Sequence, residues 1–154
     1  MTHQARSHGE GEAGQMTLSW FLFFFSCRIF QFQTETLTFF NARNSCTAKH
    51  GRLAEPRNQQ QFDAIAQFLE GRRGRFWIGG DDLLAEGLWL WNSDNSTIDL
   101  NRFFIPNEPN TGNNERCLEY LNFNVNGLND RGCNANQQYL CEFGLIGNVP
   151  VCPD

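Results

Sequence analysis

The sequence predicts an α+β domain in which two helices, small antiparallel sheets and one long irregular loop are held together by disulfides. Three observations lead there. Six cysteines, Cys27, Cys46, Cys117, Cys133, Cys141 and Cys152, are scattered without a C-x-x-C pair, and an even, dispersed set reads as disulfides made in an oxidising, secretory setting. Two segments carry apolar residues at helical spacing, whereas others alternate or form short apolar runs beside glycine. Residues 92–116 are rich in Asn and Asp and follow no period. A loop of that length inside a compact domain is usually functional.

The elements follow in order. Residues 1–15 are polar and aperiodic and read as a disordered tail. Residues 16–26 contain the apolar run Trp20–Phe25, too short to span a bilayer. This run is either the core of a signal peptide starting at Met16 or a buried first strand. The folded domain is expected over 27–143, with 144–154 as a C-terminal tail. Phe30 and Phe32 alternate as in a strand, and Thr34 to Leu37 reads as a turn. Thr36 or Thr38 can cap a helix whose buried face is Phe39, Ala42 and Cys46, ended by Gly51. A second helix is expected from Glu55-Pro56, with Phe62, Ile65, Ala66 and Leu69 buried and Gly71 terminating it. Strands are expected at 75–80, 88–91 and 138–143. Arg72, Arg73 and Arg75 flank Gly74 and read as a solvated turn rather than a patch for anionic glycans.

The formal net charge of −5 disfavours nucleic acid, which requires a basic face. His3, His8 and His50 are not spaced to complete a zinc site with the cysteines. The loops do hold Glu108, Asn110, Glu115, Asn129 and Asp130. Mixed carboxylate and amide oxygens are what Ca²⁺ takes, in six- to eight-fold coordination, whereas Mg²⁺ keeps its waters and uses one or two carboxylates.

The ordered set Ala42-Arg43, Cys46, Gly51-Arg52-Leu53-Ala54, Trp77-Ile78-Gly79, Glu86-Gly87, Trp89, Trp91, Glu108-Pro109-Asn110, Cys117, Asn129-Asp130, Cys133 and Cys141 resembles the C-type lectin domain. The resemblance covers Cys27 to Phe143 and implies a C-type lectin-like fold with disulfides Cys46–Cys141 and Cys117–Cys133. Cys27 and Cys152 are then left, to pair with each other or to link chains through Cys152. It further implies one principal Ca²⁺ held by Glu108, Asn110, Glu115, Asn129 and Asp130, with Pro109 cis. In that scheme the same five residues bind sugar: vicinal hydroxyls complete the ion's shell, donate to carboxylates and accept from amides. Glu-x-Asn order is the family's mark of equatorial 3- and 4-hydroxyls, as in mannose, N-acetylglucosamine and fucose. Galactose-type members carry Gln-x-Asp. Leu128 stands where the family usually has Trp.

Asp82, Glu86 and Glu115 match ligands of a second, auxiliary Ca²⁺ in the family, but Thr111 and Arg116 replace further oxygen ligands, and a cation at Arg116 repels the ion or replaces it. Asn95-Ser96-Thr97 is a sequon that marks Asn95 for N-glycosylation. The expected protein is therefore a secreted Ca²⁺-dependent binder of mannose-type glycans, without a membrane span, and assembly into homo-oligomers would raise the avidity of weak single sites. Two other classes stand against it. One is a module of the same fold that binds protein, mineral or ice. The other is a glycosidase using Glu108 and Glu115 as paired carboxylates, disfavoured because one metal would neutralise both and leave no proton donor.

Overall fold

The computed structural model describes residues 28–144. The readings made for 1–15 and 16–26, the partner of Cys27 and Cys152, and the tail beyond Gly144 lie outside the described residues. The chain runs β1 (Arg28–Leu37), α1 (Phe39–Ala48), β2 (Arg52–Leu53), α2 (Gln59–Phe68), β3 (Gly74–Asp81), β4 (Leu90–Trp91), α3 (Leu100–Phe103), a 3₁₀ turn (Gly112–Asn114), β5 (Cys117–Asn122), β6 (Asn126–Arg131) and β7 (Gln137–Gly144). This is the α+β architecture expected from the sequence.

Strand β1 pairs with β7 from Arg28↔Gly144 to Gln33↔Tyr139. The segment read as a turn, Thr34 to Leu37, instead stays in the strand through a register shift between Gln33 and Leu37. Such an irregularity absorbs extra residues while the ladder continues. Leu37 then uses its carbonyl oxygen to accept the Trp77 Nε1–H at 2.9 Å. Thr38 takes the N-cap position of α1 in extended backbone, but its side chain makes no capping hydrogen bond, contrary to the expectation; Phe39, Ala42 and Cys46 form the helix's buried face. His50 adopts a positive φ of 63° and Gly51 N–H donates back to Cys46 O at 2.9 Å. Gly51 must be glycine because a Cβ there would lie 2.7 Å from the Glu142 carbonyl.

Helix α2 begins later than the Glu55-Pro56 reading. Asn58 is its N-cap and accepts from Gln61 N at 2.9 Å, satisfying a first-turn amide. Its buried face is Phe62, Ala64, Ile65 and Phe68, with Ala66 half-buried. Leu69, just past the helix, is fully buried. The expected 88–91 strand shortens to Leu90–Trp91, and Leu88 is exposed.

The strands join in one path, β1-β7-β3-β5-β6, with β2 on β7 and β4 on β3. Every pair is antiparallel except β3–β7. Because side chains alternate along a strand, β3 feeds two separate cores. Phe76 and Ile78 pack with Ile65, Leu118, Leu128 and Leu140, and Trp77 packs with Phe39, Leu53 and Tyr139. Disulfides join Cys46 to Cys141 (Cα–Cα 5.5 Å) and Cys117 to Cys133 (5.2 Å). The first ties α1 to the last strand. The second ties the start of β5 to the turn after β6.

Candidate calcium and ligand site

Strand pairing assembles the first half of the site. On β6, Asn129 lies opposite Glu119 and Asp130 opposite Leu118 of β5. Both site residues are buried, Asp130 almost completely. The second half comes from the long loop. Ile105 N–H donates to Leu128 O at 3.0 Å, fastening the loop to β6. Asn107 follows with a positive φ of 70°, and the Glu108–Pro109 peptide is cis.

Side chains of the two halves meet. Asp130 Oδ2 accepts the backbone N–H of Asn110 and of Thr111, each at 3.3 Å. The Thr111 hydroxyl sits 3.0 Å from that same oxygen and 2.7 Å from Glu115 Oε2, so it can donate to only one at a time. Asn110 Nδ2 donates to Glu108 Oε1 at 2.9 Å. Glu108 Oε2 and Asp130 Oδ1 are buried and have no hydrogen-bond partner among the described residues. The Glu108 carboxyl is pushed up to about 7, first by burial, then by a hydrogen bond its protonated form makes to Asp130 and by the Asp130 charge, with Glu115 and Glu119 adding like charge.

Two orphaned carboxylate oxygens in an acidic pocket are what a hard cation satisfies, so these residues fit Ca²⁺. The set is not closed as it stands. Among the described residues no three acidic, histidine or cysteine side chains converge on one point. Glu115 is drawn aside by Thr111 and lies 3.9 Å from Arg131. Asn129 is turned inward: its Nδ2 donates to Glu119 Oε1 at 2.7 Å and to the Asp130 carbonyl at 2.6 Å. Both amide hydrogens are thereby used, and Oδ1 is the atom left for an ion.

Glu119 escaped the sequence reading. It is fully buried, also accepts Arg75 Nη1 at 2.5 Å, and burial raises its pKa. The signal was present as a lone carboxylate inside Cys117-Leu-Glu-Tyr-Leu, a strand buried along its whole length.

The auxiliary ion site at Asp82, Glu86 and Glu115 does not form in this arrangement. Arg116 Nε lies 3.0 Å from Asp82 Oδ1 and 3.9 Å from Glu86 Oε2, and Arg116 Nη2 bonds the Asp82 carbonyl. The other Asp82 oxygen accepts Gly87 N–H at 2.8 Å. A guanidinium charge already occupies the acidic pair, and Glu115 belongs to the principal cluster. Arg72, Arg73 and Arg75 do not converge: they bond the Phe68 carbonyl, Asn124 and Glu119 respectively. Asn95 is exposed in a turn with φ 56°.

A profile described as the Lectin C-type domain matches residues 35–143. Human tetranectin is 29% identical over 119 residues, 73% of this chain but 58% of its own length. The galactose-specific lectin nattectin of Thalassophryne nattereri is 30% identical over 121 residues, 77% of this chain and 75% of its own. The solved structure of a calcium-independent type II antifreeze protein superposes with a TM-score of 0.70 at 24% identity, covering 86% of this chain and 96% of that one. At that identity the likeness shows a shared fold and nothing about function.

Proposed function

Because this chain belongs to the C-type lectin domain family, we propose that it binds carbohydrate through a single Ca²⁺ held by Glu108, Asn110, Glu115, Asn129 and Asp130, with preference for mannose-type sugars. The observation that carries this reading is the pair of buried, unpartnered oxygens, Glu108 Oε2 and Asp130 Oδ1. With Glu108 ionised, burying two such acceptors is costly unless a cation satisfies them; below about pH 7 the proton that Glu108 holds bridges it to Asp130 instead. Bound Ca²⁺ supplies a hard Lewis-acid centre whose open positions take hydroxyl oxygens. Around it, Glu108 and Glu115 accept hydroxyl protons, and Asn110, which is exposed, donates from its amide. Asn129 contributes Oδ1 while its amide hydrogens are held by Glu119 and the Asp130 carbonyl. The Glu108-x-Asn110 order supports equatorial 3- and 4-hydroxyls over the galactose arrangement. No catalytic role falls to these residues in this reading, since a shared cation would neutralise the carboxylates a glycosidase needs. Secretion, glycosylation at Asn95 and assembly into oligomers belong to the same proposal.

The test is retention on immobilised mannose in Ca²⁺ followed by elution with EDTA. Retention that survives chelation, or no retention on any sugar in a glycan array, overturns it. The second reading is a module of the same fold that binds a protein, mineral or ice surface rather than sugar. Thermal hysteresis in a protein that ignores sugars would establish that reading.

A further inference from the structure

At the opposite edge of the sheet path from β6, the ends of β1 and β2, the approach to α2 and the turn after β4 enclose a cleft of about 440 Å³. Arg28, Arg52, Arg57, Asn58, Gln61 and Ser93 line it, with Asp94 at its margin. Its size falls in the range of small-ligand sites, about 300–1,000 Å³.

The acceptors of this cleft are taken. Glu142 Oε1 accepts Arg28 Nη1 at 2.8 Å and Arg52 Nε at 2.5 Å, and Glu142 Oε2 accepts Glu55 N–H at 3.1 Å. Glu55 Oε2 accepts Arg57 Nη2 and the Ser93 hydroxyl. Both Asp94 oxygens accept Arg57, at 2.6 and 3.0 Å. Asn58 Oδ1 caps α2, and Gln61 Oε1 accepts Arg57 N–H at 2.8 Å.

The donors are taken only in part: Arg57 Nη1 and Nη2, Arg28 Nη1, Arg52 Nε and the Ser93 hydroxyl are engaged, and others are left over. Among the described residues, both terminal nitrogens of Arg52 and Nη2 of Arg28 have no hydrogen-bond partner. The side-chain NH₂ of Gln61, a residue only 8% exposed, has none either. Arg57 Nε is buried without a partner. Three guanidinium charges are offset by Glu55, Asp94 and Glu142, so bare charge is not what remains. What remains is a set of free N–H groups on residues that line the cavity, of which Arg57 Nε is shut away from bulk water. Such a lining is complementary to a ligand rich in acceptors and poor in donors.

We propose that this cleft is an oxyanion site that takes a sulfate group, independent of the Ca²⁺ site and of the sugar-binding reading. The Arg52 fork, bonded through Nε alone, presents a parallel N–H pair that matches two oxygens of one anion, and the volume leaves room for a sugar ring carrying that sulfate as an ester.

The experiment is a ¹H–¹⁵N titration of the protein in EDTA at constant ionic strength set by chloride. The probes are sodium sulfate, glucosamine 6-sulfate and, as control, glucosamine. Saturable shifts are expected at the Arg57, Gln61 and Ser93 amides with both sulfated probes and not with the control. Arg52→Gln, which leaves Arg28 on Glu142, is expected to weaken binding about tenfold, with Ca²⁺-dependent sugar binding unchanged. Tighter binding of the ester than of free sulfate identifies a sulfated glycan as the source, and equal binding identifies the free ion. The proposal is overturned by absence of saturable shifts at these amides in the wild-type protein, or by an unchanged affinity in Arg52→Gln. Should that variant not fold, the wild-type shift map decides alone.

Discussion

Glu119 and Asn129 face each other across β5 and β6, and the buried carboxylate accepts the Asn129 amide at 2.7 Å. This bond sets which atom Asn129 presents to the loop side, so a residue that touches no ligand governs one that would. Glu119→Ala leaves the amide and Arg75 without their acceptor. A loss of about 1.5–3 kcal/mol in stability is expected, the range for a hydrogen bond to a charged group, together with weaker Ca²⁺ binding. Glu119→Gln keeps an acceptor and is expected to lose less of both. Thermal melts and Ca²⁺ titration of the two variants check this, and equal Ca²⁺ affinity in all three proteins would detach Glu119 from the site.

The raised pKa of Glu108 gives the ion-free and ion-bound proteins opposite pH responses. In the ion-free fold the carboxyl is pushed from 4.5 up to about 7, so the folded state holds a proton that the unfolded chain has released. Stability without the ion therefore falls as pH rises from about 4.5 to 7 and levels off above. Ca²⁺ requires the carboxylate, so its stabilising effect is full above pH 7 and shrinks as pH drops through it. Melting curves between pH 5 and 8, with Ca²⁺ and with chelator, are expected to diverge as pH rises. Parallel curves would place Glu108 outside the ion's shell.

Arg116 lies on Asp82 and Glu86, where the family resemblance implies an auxiliary ion. Removing it as Arg116→Asn strips the partner from Asp82, whose side chain is 2% exposed, and is expected to cost about 3 kcal/mol in EDTA, the low end of the range for breaking a buried pair. The same change adds an oxygen ligand beside Asp82 and Glu86. Ca²⁺ stoichiometry by calorimetry is expected to rise from one to two, with part of the stability recovered in Ca²⁺. A stoichiometry of two in the wild-type protein would refute the replacement of that ion by Arg116.

On the proposed reading, sugar choice follows from which of Glu108 and Asn110 accepts and which donates. The double change Glu108→Gln with Asn110→Asp keeps one charge and nearly the same volume, so Ca²⁺ binding is expected to persist. Mannose then meets inverted donors and acceptors, each mismatch weakening it about tenfold or more, while galactose gains relative to it. Competition with methyl mannoside and methyl galactoside measures the ratio. An unchanged ratio in a Ca²⁺-binding mutant would move the sugar elsewhere on the domain.

Much of this was legible from residues alone where local chemistry and tertiary structure agree. Phe39, Ala42 and Cys46 at helical spacing form the buried face of α1, and the short apolar run expected as a strand at 75–80 is β3. Errors arose where tertiary pairing overrode local signals. Thr34 to Leu37 looks like a turn, but the facing edge of β7 keeps it in the sheet. Pro56 suits a first helical turn, yet Glu55 is drawn inward to Ser93 and Arg57, delaying α2 until Asn58 can cap it. Polar side chains that act through other side chains, Glu119 and the Arg57 network, carry no periodicity and no motif. They become visible only when strands distant in sequence are brought side by side.

The pairing of Arg28 with Gly144 has a mechanical consequence. The two ends of the described fold leave from the same rung of one ladder, so tension applied through them peels β1 from β7 rung by rung rather than shearing the strands lengthwise. On the β7 side the load stops at Cys141, which is bonded to Cys46, while on the other side it continues through the rest of β1 and α1 to that same bond. Once those residues have straightened, the load rests on a covalent bond instead of the sheet. A tethered copy hauled on by a bound surface would thus lengthen and then lock, leaving β5, β6 and the ligand loops unloaded at the far edge.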